Sequence, residues 1–284
     1  MLTQAGKRVQ PFSQQAQMGE DGVPVRQDSD LLALFESLAL AAGREIMRHY
    51  EQGFAIERKA DASPVTAADR EAEKIILSGL CEKLPDVPCV AEENASLGII
   101  PECGDAFLLI DPLDGTREFI ERRPDFTVNI ALIRHGTPVL GVVLAPARGL
   151  MFSGGPDGAF EIELRDGEIV GRTPIRARTK PASEPVILAS LSHRTPETDA
   201  YIAKFPGSRV TSIGSSLKFC LLARGEADIY PRFGPTMQWD TAAGDAILRA
   251  AGGMTRDLDG NPLTYGLREG TGFCSPFFIA EGVS

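Results

Sequence analysis

A short apolar run over residues 106–110 leads directly into the segment Asp-Pro-Leu-Asp-Gly-Thr at 111–116. The run is typical of a buried strand, so Asp111 and Asp114 are expected at the end of that strand. Carboxylates in this position are costly unless a cation or a set of hydrogen bonds meets them. The segment therefore requires a fold that brings positive charge to this strand end, and it indicates a metal site.

The composition limits the classes of protein that fit. The chain has 284 residues, 43% of them hydrophobic, and a formal net charge of -10. This length allows a sizeable core in one large or two medium domains. The acidic balance argues against a nucleic-acid-binding protein, because affinity for the phosphate backbone depends on clustered Lys and Arg. An acidic enzyme that handles anions needs local positive charge, which a metal ion supplies.

The cysteines and the N-terminal residues indicate the cellular compartment of the protein. The 5 cysteines are odd in number and form no C-x-x-C pair, which favours a reducing cytosol with cysteines as small core residues. No apolar run approaches the ~20 residues that span a bilayer, so we expect no transmembrane segment. Residues 1–27 lack the apolar stretch of a signal peptide and are predicted to be a flexible tail.

The first half of the fold is predicted to combine helices with antiparallel strands. Apolar residues recur at helical spacing over 29–50 and 66–84. Short strand-like runs follow over 87–91, 106–110, 127–134, 138–145 and 158–164. The pairs His-Gly at 135–136 and Asp-Gly at 166–167 are typical of hairpin turns, which join antiparallel neighbours.

A Pro- and Arg-rich stretch at 171–185 predicts a linker, and helices and strands alternate after it. One of the later helices is predicted to span 215–224, and another 241–251. We therefore expect an N-terminal α+β half over 28–178 that carries the metal-binding motifs. A C-terminal α/β half over 179–284 is expected to carry most substrate contacts.

The acidic candidates for the functional site are Asp69, Glu92, Asp111, Asp114 and Asp240. Several of them have a structural alternative. Asp69 lies three residues after Thr66, which is the spacing of a helix capping box. Glu92 could belong to a solvated pair on a loop, and Asp240 could be a helix N-cap. The alternative is weakest for the two aspartates of 111–116, because a turn-forming Asp is not usually followed by a second carboxylate and Gly-Thr.

Carboxylates and a backbone carbonyl are the ligands that a hard divalent cation such as Mg²⁺ prefers, and His and Cys are not required. Two such ions can activate a water on one side of a phosphoryl group and stabilise the leaving oxygen on the other. Gly115 and Thr116, followed by a helix-compatible stretch, would offer backbone N–H groups to a phosphate. The segment 111–116 thus predicts a metal site and a phosphate-binding turn together.

Ordered segments of the chain resemble the inositol monophosphatase-like superfamily of metal-dependent, lithium-sensitive phosphatases. They are PVTAADREAE at 64–73, AEEN at 91–94, DPLDGTREF at 111–119 and WDTAAG at 239–244. A single DGT would be a weak signal, whereas co-ordered segments are specific. The resemblance covers residue 29 to the end and implies an α/β fold of α+β layers, an αβαβα sandwich with the active site between the two halves.

Within that superfamily, residues 212–244 look like the CysQ-type 3′(2′),5′-bisphosphate nucleotidases. The resemblance implies hydrolysis of the 3′-phosphate of adenosine 3′,5′-bisphosphate, which is left over from sulfuryl transfer and sulfate reduction, and hence a role in sulfur assimilation. It implies two or three Mg²⁺ ions and a small nucleotide bisphosphate substrate. Family members are mostly cytoplasmic, with some peripheral at the bacterial inner membrane, and a homodimer is compatible with the resemblance.

The resemblance also implies roles for individual residues. Asp69 and Thr116 would position or deprotonate the attacking water. The metal ligands would be Glu92, Asp111, the Leu113 carbonyl, Asp114 and Asp240. The substrate contacts would be Glu92, Asp114, Gly115, Thr116, His193, Ser215, Lys218, Arg232 and Asp240. Lys218 is interpreted as a residue at the edge of a solvated helix face, and Arg232 as a bidentate partner of a second phosphate.

Other functions compete with this interpretation. An inositol monophosphatase would share the metals and the water but not the pocket, and the segments SSLK at 215–218 and YPRF at 230–233 favour the nucleotidase. A haloacid-dehalogenase-like phosphatase carries Asp-x-Asp-Gly-Thr after a strand, but here two residues separate the aspartates. A non-catalytic cation-binding protein would not need the water-positioning pair Asp69 and Thr116.

Overall fold

The computed structural model describes residues 27–59, 64–179, 181, 183–190 and 194–283. Its helices are α1 Asp28–Gln52, α2 Ala67–Lys83, α3 Glu92–Ser96, α4 Thr116–Ile120, α5 Pro196–Ile202, α6 Leu217–Ala223 and α7 Gln238–Ala250. Its strands are β1 Ile56–Arg58, β2 Pro64–Thr66, β3 Cys89–Ala91, β4 Ala106–Asp114, β5 Thr127–Arg134, β6 Thr137–Ala145, β7 Leu150–Gly155, β8 Gly158–Arg165, β9 Glu168–Ile175, β10 Val186–Ser190, β11 Arg209–Ile213, β12 Ile229–Arg232, β13 Met254–Asp257 and β14 Phe278–Glu281.

Strands β3 to β9 pair in chain order and form what we call the large sheet. The pair β3–β4 is parallel, and the pairs from β4–β5 to β8–β9 are antiparallel. Left-handed backbone at His135, Gly136, Asp166 and Gly167 closes the turns that join β5 to β6 and β8 to β9. Both predicted hairpins are therefore confirmed.

Strands β4 to β7 of the large sheet are mostly buried, and they carry apolar residues at many consecutive positions. On β4, Leu108 and Ile110 belong to the core that includes α1 and α2, whereas Phe107 and Leu109 belong to the core that includes α6 and α7. Successive side chains of a strand point to opposite faces, so one strand serves two helical layers. This explains why the strand reads as a continuous apolar run.

Strands β10 to β14 form the small sheet, in the order β11-β10-β12-β14-β13. Strands β11, β10 and β12 run parallel, and β14 is antiparallel to β12 and β13. Its inner face shares a core with α6 and α7, and its outer face packs against Ile202 of α5. The order of layers is helices, large sheet, helices, small sheet, helix, so the predicted αβαβα sandwich is confirmed.

Helix α7 approaches the large sheet closely, because a glycine faces it. A Cβ added to Gly154 of β7 would lie 2.6 Å from the Cα of Ile247. The absence of that atom lets the helix backbone contact the strand directly. The close approach fixes the first turn of α7, which carries Asp240, at the end of the large sheet where β4 stops.

Several predicted boundaries are wrong. The stretch predicted as a linker begins inside β9, since residues 171–175 pair with β8. Gly and Pro are tolerated there because β9 is the edge of the large sheet. Helix α7 begins at Gln238 rather than at residue 241, and α6 begins at Leu217. The predicted tail, apart from residue 27, lies outside the described residues.

Candidate active site

A cleft of about 350 Å³ opens where the ends of the large sheet, α6 and α7 meet. The predicted site residues that line it are Glu92, Asp114, Gly115, Thr116, Ser215, Lys218, Arg232 and Asp240. The predicted residues Asp69, Asp111 and Leu113 are buried beside it. His193 lies outside the described residues. The fold therefore gathers residues that are 171 positions apart in the sequence, from Asp69 to Asp240, around one cavity.

The end of β4 is irregular, and the irregularity directs its carboxylates. The pairing with β5 shifts register between Asp111 and Asp114, as in a β-bulge. The Asp111 Oδ1 atom accepts a hydrogen bond from the backbone N–H of Leu113 at 3.0 Å. Gly115 then adopts left-handed backbone, with φ 92°, and α4 starts at Thr116. A Cβ on Gly115 would lie 3.2 Å from the Asp125 carbonyl oxygen, so the turn is built for glycine.

We call the side chains of Glu92, Asp111, Asp114 and Asp240 the acidic cluster. Burial, followed by the charges of the other three carboxylates, raises the pKa of Asp111 well above its usual value. Burial, with Asp114 and Glu92 nearby, raises the pKa of Asp240 to about 7. Burial also raises the pKa of Glu92, and the Lys59 ammonium opposes that rise.

The acidic cluster fits a divalent cation. Its carboxylates repel one another at the end of a buried strand, and a bound cation would replace that repulsion with attraction. The donors are carboxylate oxygens, which are the ligands that hard cations such as Mg²⁺ and Ca²⁺ prefer.

Asp69 serves two partners with its two oxygens. Its Oδ2 atom accepts hydrogen bonds from the backbone N–H and the hydroxyl of Thr66, both at 2.7 Å, so the predicted capping box is present. Its Oδ1 atom accepts the hydroxyl of Thr116 at 2.9 Å. Burial is the main cause of a raised pKa for Asp69. The cap therefore holds this carboxylate in place against Thr116, and the structural and catalytic interpretations do not exclude each other.

Asp240 is not the N-cap of α7 but the third residue of that helix. Its Oδ2 atom accepts hydrogen bonds from the Thr236 hydroxyl at 2.7 Å and from the Met237 backbone at 3.0 Å. The helix begins earlier than the sequence suggested, because the backbone of Gln238 is already helical. Asp240 keeps its bonds to the helix start and also faces the cleft.

We call Lys218 and Arg232, which also line the cleft, the basic pair. The prediction that Lys218 lies at a solvated helix edge is wrong, since only 4% of it is exposed. Its ammonium donates to the carbonyls of Ser215 at 2.6 Å and Ile213 at 3.3 Å, and lies 5.3 Å from the centre of the Tyr230 ring. Burial lowers the pKa of Lys218 to about 8.

Arg232 ends β12 and is also buried. Its guanidinium donates to the carbonyls of Gly234 and Pro235. These bonds hold the turn that leads to Thr236, which in turn holds Asp240. Arg232 therefore faces the cleft from a fixed position rather than from a mobile loop.

Some residues that support the site were missed by the sequence analysis. The Lys59 ammonium contacts Glu92 at 2.7 Å and Glu93 at 2.6 Å. The carboxylate of Glu73 accepts the backbone N–H groups of Glu93 and Asn94 at 2.8 and 3.0 Å, which orients the start of α3. Glu73 lies one helical turn after Asp69, so helical spacing could have identified it. Lys59 stands in no recognisable motif.

A second group of side chains with metal-ligand chemistry lies on the outer surface of α1 and α2. Glu45, His49 and Glu71 have ligand atoms within 4.8 Å of one another. The Arg48 guanidinium bonds to Glu45 and lies 3.1 Å from Glu71, so these carboxylates already have a counter-charge. In the acidic cluster of the cleft, by contrast, the charges of the other three carboxylates help to raise the pKa of Asp111.

Residues 27–276 match the model of the inositol monophosphatase family. The chain belongs to this family. The 3′(2′),5′-bisphosphate nucleotidase CysQ of Escherichia coli K12 is 45% identical over 243 residues, which are 85% of this chain and 95% of the relative. Members of the family use metal ions. The family membership inferred from the ordered motifs is thus confirmed.

Solved structures agree with this assignment. CysQ from Bacteroides thetaiotaomicron, a bacterial member of the inositol monophosphatase family, is 36% identical, with a TM-score of 0.74 over 92% of this chain and 99% of the other. The IMPase of Thermotoga maritima is 29% identical, with a TM-score of 0.71 over 89% and 92% of the two chains. Within the part of the chain that the structure describes, no helix has the length and apolarity needed to cross a membrane.

Proposed function

We propose that this chain is a Mg²⁺-dependent phosphatase that hydrolyses the 3′-phosphate of adenosine 3′,5′-bisphosphate to give AMP and phosphate. The observation that carries the proposal is the cleft itself, which is lined both by residues of the acidic cluster and by the basic pair. A substrate with two phosphates can use both sets of residues, one phosphate through metal ions and the other through direct contact with cations. The nucleotidase names of relatives at 45% identity support the nucleotide.

The proposed metal ligands are the four carboxylates of the acidic cluster and the carbonyl oxygen of Leu113. Two or three Mg²⁺ ions held there would polarise the phosphoryl oxygens and lower the pKa of a water molecule. Asp111 is the most deeply buried of these carboxylates, with 1% of its surface exposed. Since its pKa is raised in the metal-free protein, it would exchange a proton for a metal ion.

Thr116 and Asp69 are proposed to position the attacking water and accept its proton. The Thr116 hydroxyl donates to Asp69, so its oxygen lone pairs remain available to accept a hydrogen bond from water. A proton could pass from the water to the Thr116 oxygen while the hydroxyl proton passes to Asp69 Oδ1. The water oxygen would then bond to phosphorus as the bond from phosphorus to the 3′-oxygen breaks, and the 3′-oxygen would take up a proton from solvent to give the hydroxyl of AMP. The raised pKa of Asp69 suits a general base better than that of an ordinary carboxylate.

The substrate contacts are proposed as follows. The backbone N–H groups of Gly115 and Thr116 would meet the phosphate that is cleaved, and Glu92, Asp114 and Asp240 would contact it through the metal ions. Ser215, Lys218 and Arg232 would meet the second phosphate. The contribution of His193 stays a prediction, because it lies outside the described residues.

We also infer a cytoplasmic role in sulfur assimilation, in which the enzyme removes the bisphosphate left by sulfuryl transfer. In this proposal the half over 28–178 contributes Glu92, Asp111 and Asp114 of the acidic cluster. The half over 179–284 contributes Asp240 and the basic pair. Expression of the chain in a bacterial strain that lacks its own bisphosphate nucleotidase should restore growth without added sulfur amino acids. Failure of an active protein to do so would contradict the role.

The decisive test of the activity is phosphate release from adenosine 3′,5′-bisphosphate and from inositol 1-phosphate, side by side, with Mg²⁺ and with or without Li⁺. We expect a large preference for the nucleotide and inhibition by lithium. A preference for the inositol ester would leave the metal chemistry in place and assign the chain to the inositol monophosphatases. No release from either substrate would contradict the roles of Asp69 and Thr116.

A further inference from the structure

Ser216 lies between the two sides of the cleft. Its Oγ atom is 2.8 Å from Oδ2 of Asp114 and 2.6 Å from the carbonyl oxygen of Asp240. The side-chain amide of Asn129 donates to the same Oγ atom at 2.8 Å. Ser216 is 2% exposed and Asn129 is fully buried. One hydroxyl thus connects β4, β5, α7 and the start of α6.

The chemistry of this junction restricts how the hydroxyl can act. A serine hydroxyl has one hydrogen and accepts through its lone pairs. Because Asn129 donates to the oxygen, the hydrogen of Ser216 points to Asp114 or to the Asp240 carbonyl. A charged carboxylate is the stronger acceptor, so Asp114 receives the better bond. The bond limits rotation of the Asp114 carboxylate and holds it beside the first turn of α7.

We propose that Ser216 is a positioning residue of the metal site. Its hydroxyl accepts from the Asn129 amide and donates to Asp114, and so holds the carboxylate of that ligand in one orientation. Ser216 also follows Ser215, whose left-handed backbone has φ 49° and whose carbonyl Lys218 holds. The turn at Ser215, which Lys218 holds through a hydrogen bond, is therefore joined to Asp114 by the adjacent Ser216 side chain.

The inference rests on the proposed metal-dependent chemistry, but its test measures ion binding alone. Mn²⁺ binding, followed by electron paramagnetic resonance in the absence of substrate, is compared between the wild type and Ser216→Ala. We expect the dissociation constant to rise by roughly tenfold, as for other residues that orient a metal ligand. Ser216→Cys keeps the side-chain size but is a weak donor, and it should behave like the alanine variant. Ser216→Thr, which restores a hydroxyl, should recover most of the affinity.

Ser153→Ala is the matched control, because Ser153 is a fully buried serine on β7 away from the cleft lining. A rise of equal size in this control, or a dissociation constant for Ser216→Ala within about twofold of the wild type, would overturn the proposal. If Ser216→Ala does not fold, Asn129→Ala decides the question, because it removes the donor that orients the hydroxyl. It should weaken Mn²⁺ binding, and unchanged binding would overturn the proposal.

An activity measurement separates this inference from the proposed function. The Ser216→Ala enzyme should need more Mg²⁺ for half-maximal activity, while its KM for the nucleotide at saturating Mg²⁺ stays near that of the wild type. A wild-type enzyme that binds Mn²⁺ but releases no phosphate would contradict the proposed function and leave the role of Ser216 in ion binding intact.

Discussion

The acidic cluster and the basic pair of the cleft carry opposite charge and differ in the effect that neighbouring groups have on each charge. The basic pair donates to backbone carbonyls, with Lys218 bonded to Ser215 and Ile213 and Arg232 bonded to Gly234 and Pro235. The acidic cluster instead gathers carboxylates that raise one another's pKa. The basic pair therefore has its hydrogen-bond partners within the protein, whereas a bound cation would relieve the repulsion within the acidic cluster.

This difference predicts that substitutions in the acidic cluster and in the basic pair affect fold stability in opposite directions. Removing a charge from the acidic cluster relieves repulsion, so it should stabilise the metal-free fold while it destroys activity. Removing a charge from the basic pair leaves buried carbonyls without donors, so it should destabilise the fold as well as weaken substrate binding. Variants on the two sides can be compared by activity and by Tm.

The largest effect is expected from Asp111→Asn. The variant should abolish turnover by weakening the binding of metal ions. It should also raise the Tm of the metal-free protein at neutral pH, because the Asn amide is neutral without the proton that Asp111 must take up on folding. Asp86→Asn, at an exposed turn, is the control and should change neither quantity. A residual rate above about one-hundredth of the wild type would contradict the role of Asp111 as a ligand.

The second-largest effect is expected from Thr116→Ala, which tests the catalytic step while every carboxylate of the site is kept. Loss of a group that positions the attacking water should lower kcat by about 10² to 10⁴-fold, with ion binding unchanged. Thr116→Ser keeps the hydroxyl that bonds to Asp69 and should retain most of the activity. If the alanine and serine variants lose the same amount, the hydroxyl is not the group that matters.

Lys218→Met tests the other side of the cleft. The variant deprives the carbonyls of Ser215 and Ile213 of their donor, so Tm should fall by roughly 5 °C and the KM for the bisphosphate should rise. Lys74→Met, at an exposed position of α2, should leave Tm within about 1 °C. A Lys218→Met protein as stable as the wild type would show that the hydrogen bonds from Lys218 to these carbonyls do not stabilise the fold.

The smallest effect is a pH dependence of the stabilisation by Mg²⁺. The pKa of Asp240 is about 7 in the metal-free fold, against an ordinary value of 3.8. A raised pKa means that the folded state holds a proton that the unfolded state loses, so this stability declines as pH rises from about 4 to about 7. The gain in Tm from saturating Mg²⁺ should therefore be larger near pH 8 than near pH 6. Equal gains at the two pH values would argue against a proton on the ligands.

The sequence identified the acidic cluster because its residues stand in ordered motifs at strand and helix ends. Asp111 and Asp114 follow an apolar run that proved to be a buried strand, β4. Asp69 was recognised both as a helix cap and as a catalytic candidate, and it contacts both Thr66 and Thr116. At these residues the local sequence pattern and the position in the fold agree, so short sequence segments were sufficient to locate the acidic cluster.

The sequence could not show which polar side chains are buried by another layer. Lys218 was expected at an edge because amphipathic spacing does not reveal that the small sheet, through Tyr230, covers its helix face. Ser216 has no distinguishing neighbour, and its partners lie 87 residues before it and 24 after it. The strand β9 was read as a linker, since Gly and Pro are common to linkers and edge strands.

The most direct test of a cleft with two complementary sides is the rate on two nucleotides that differ by one phosphate. Initial rates are measured for the wild type and Arg232→Ala with adenosine 3′,5′-bisphosphate and adenosine 3′-monophosphate. A charge-assisted contact to the second phosphate predicts that the variant loses roughly 10 to 100-fold in kcat/KM on the bisphosphate, chiefly through KM, and little on the monophosphate. An equal loss on both substrates would contradict this account, and would mean that Arg232 only supports the turn before Asp240.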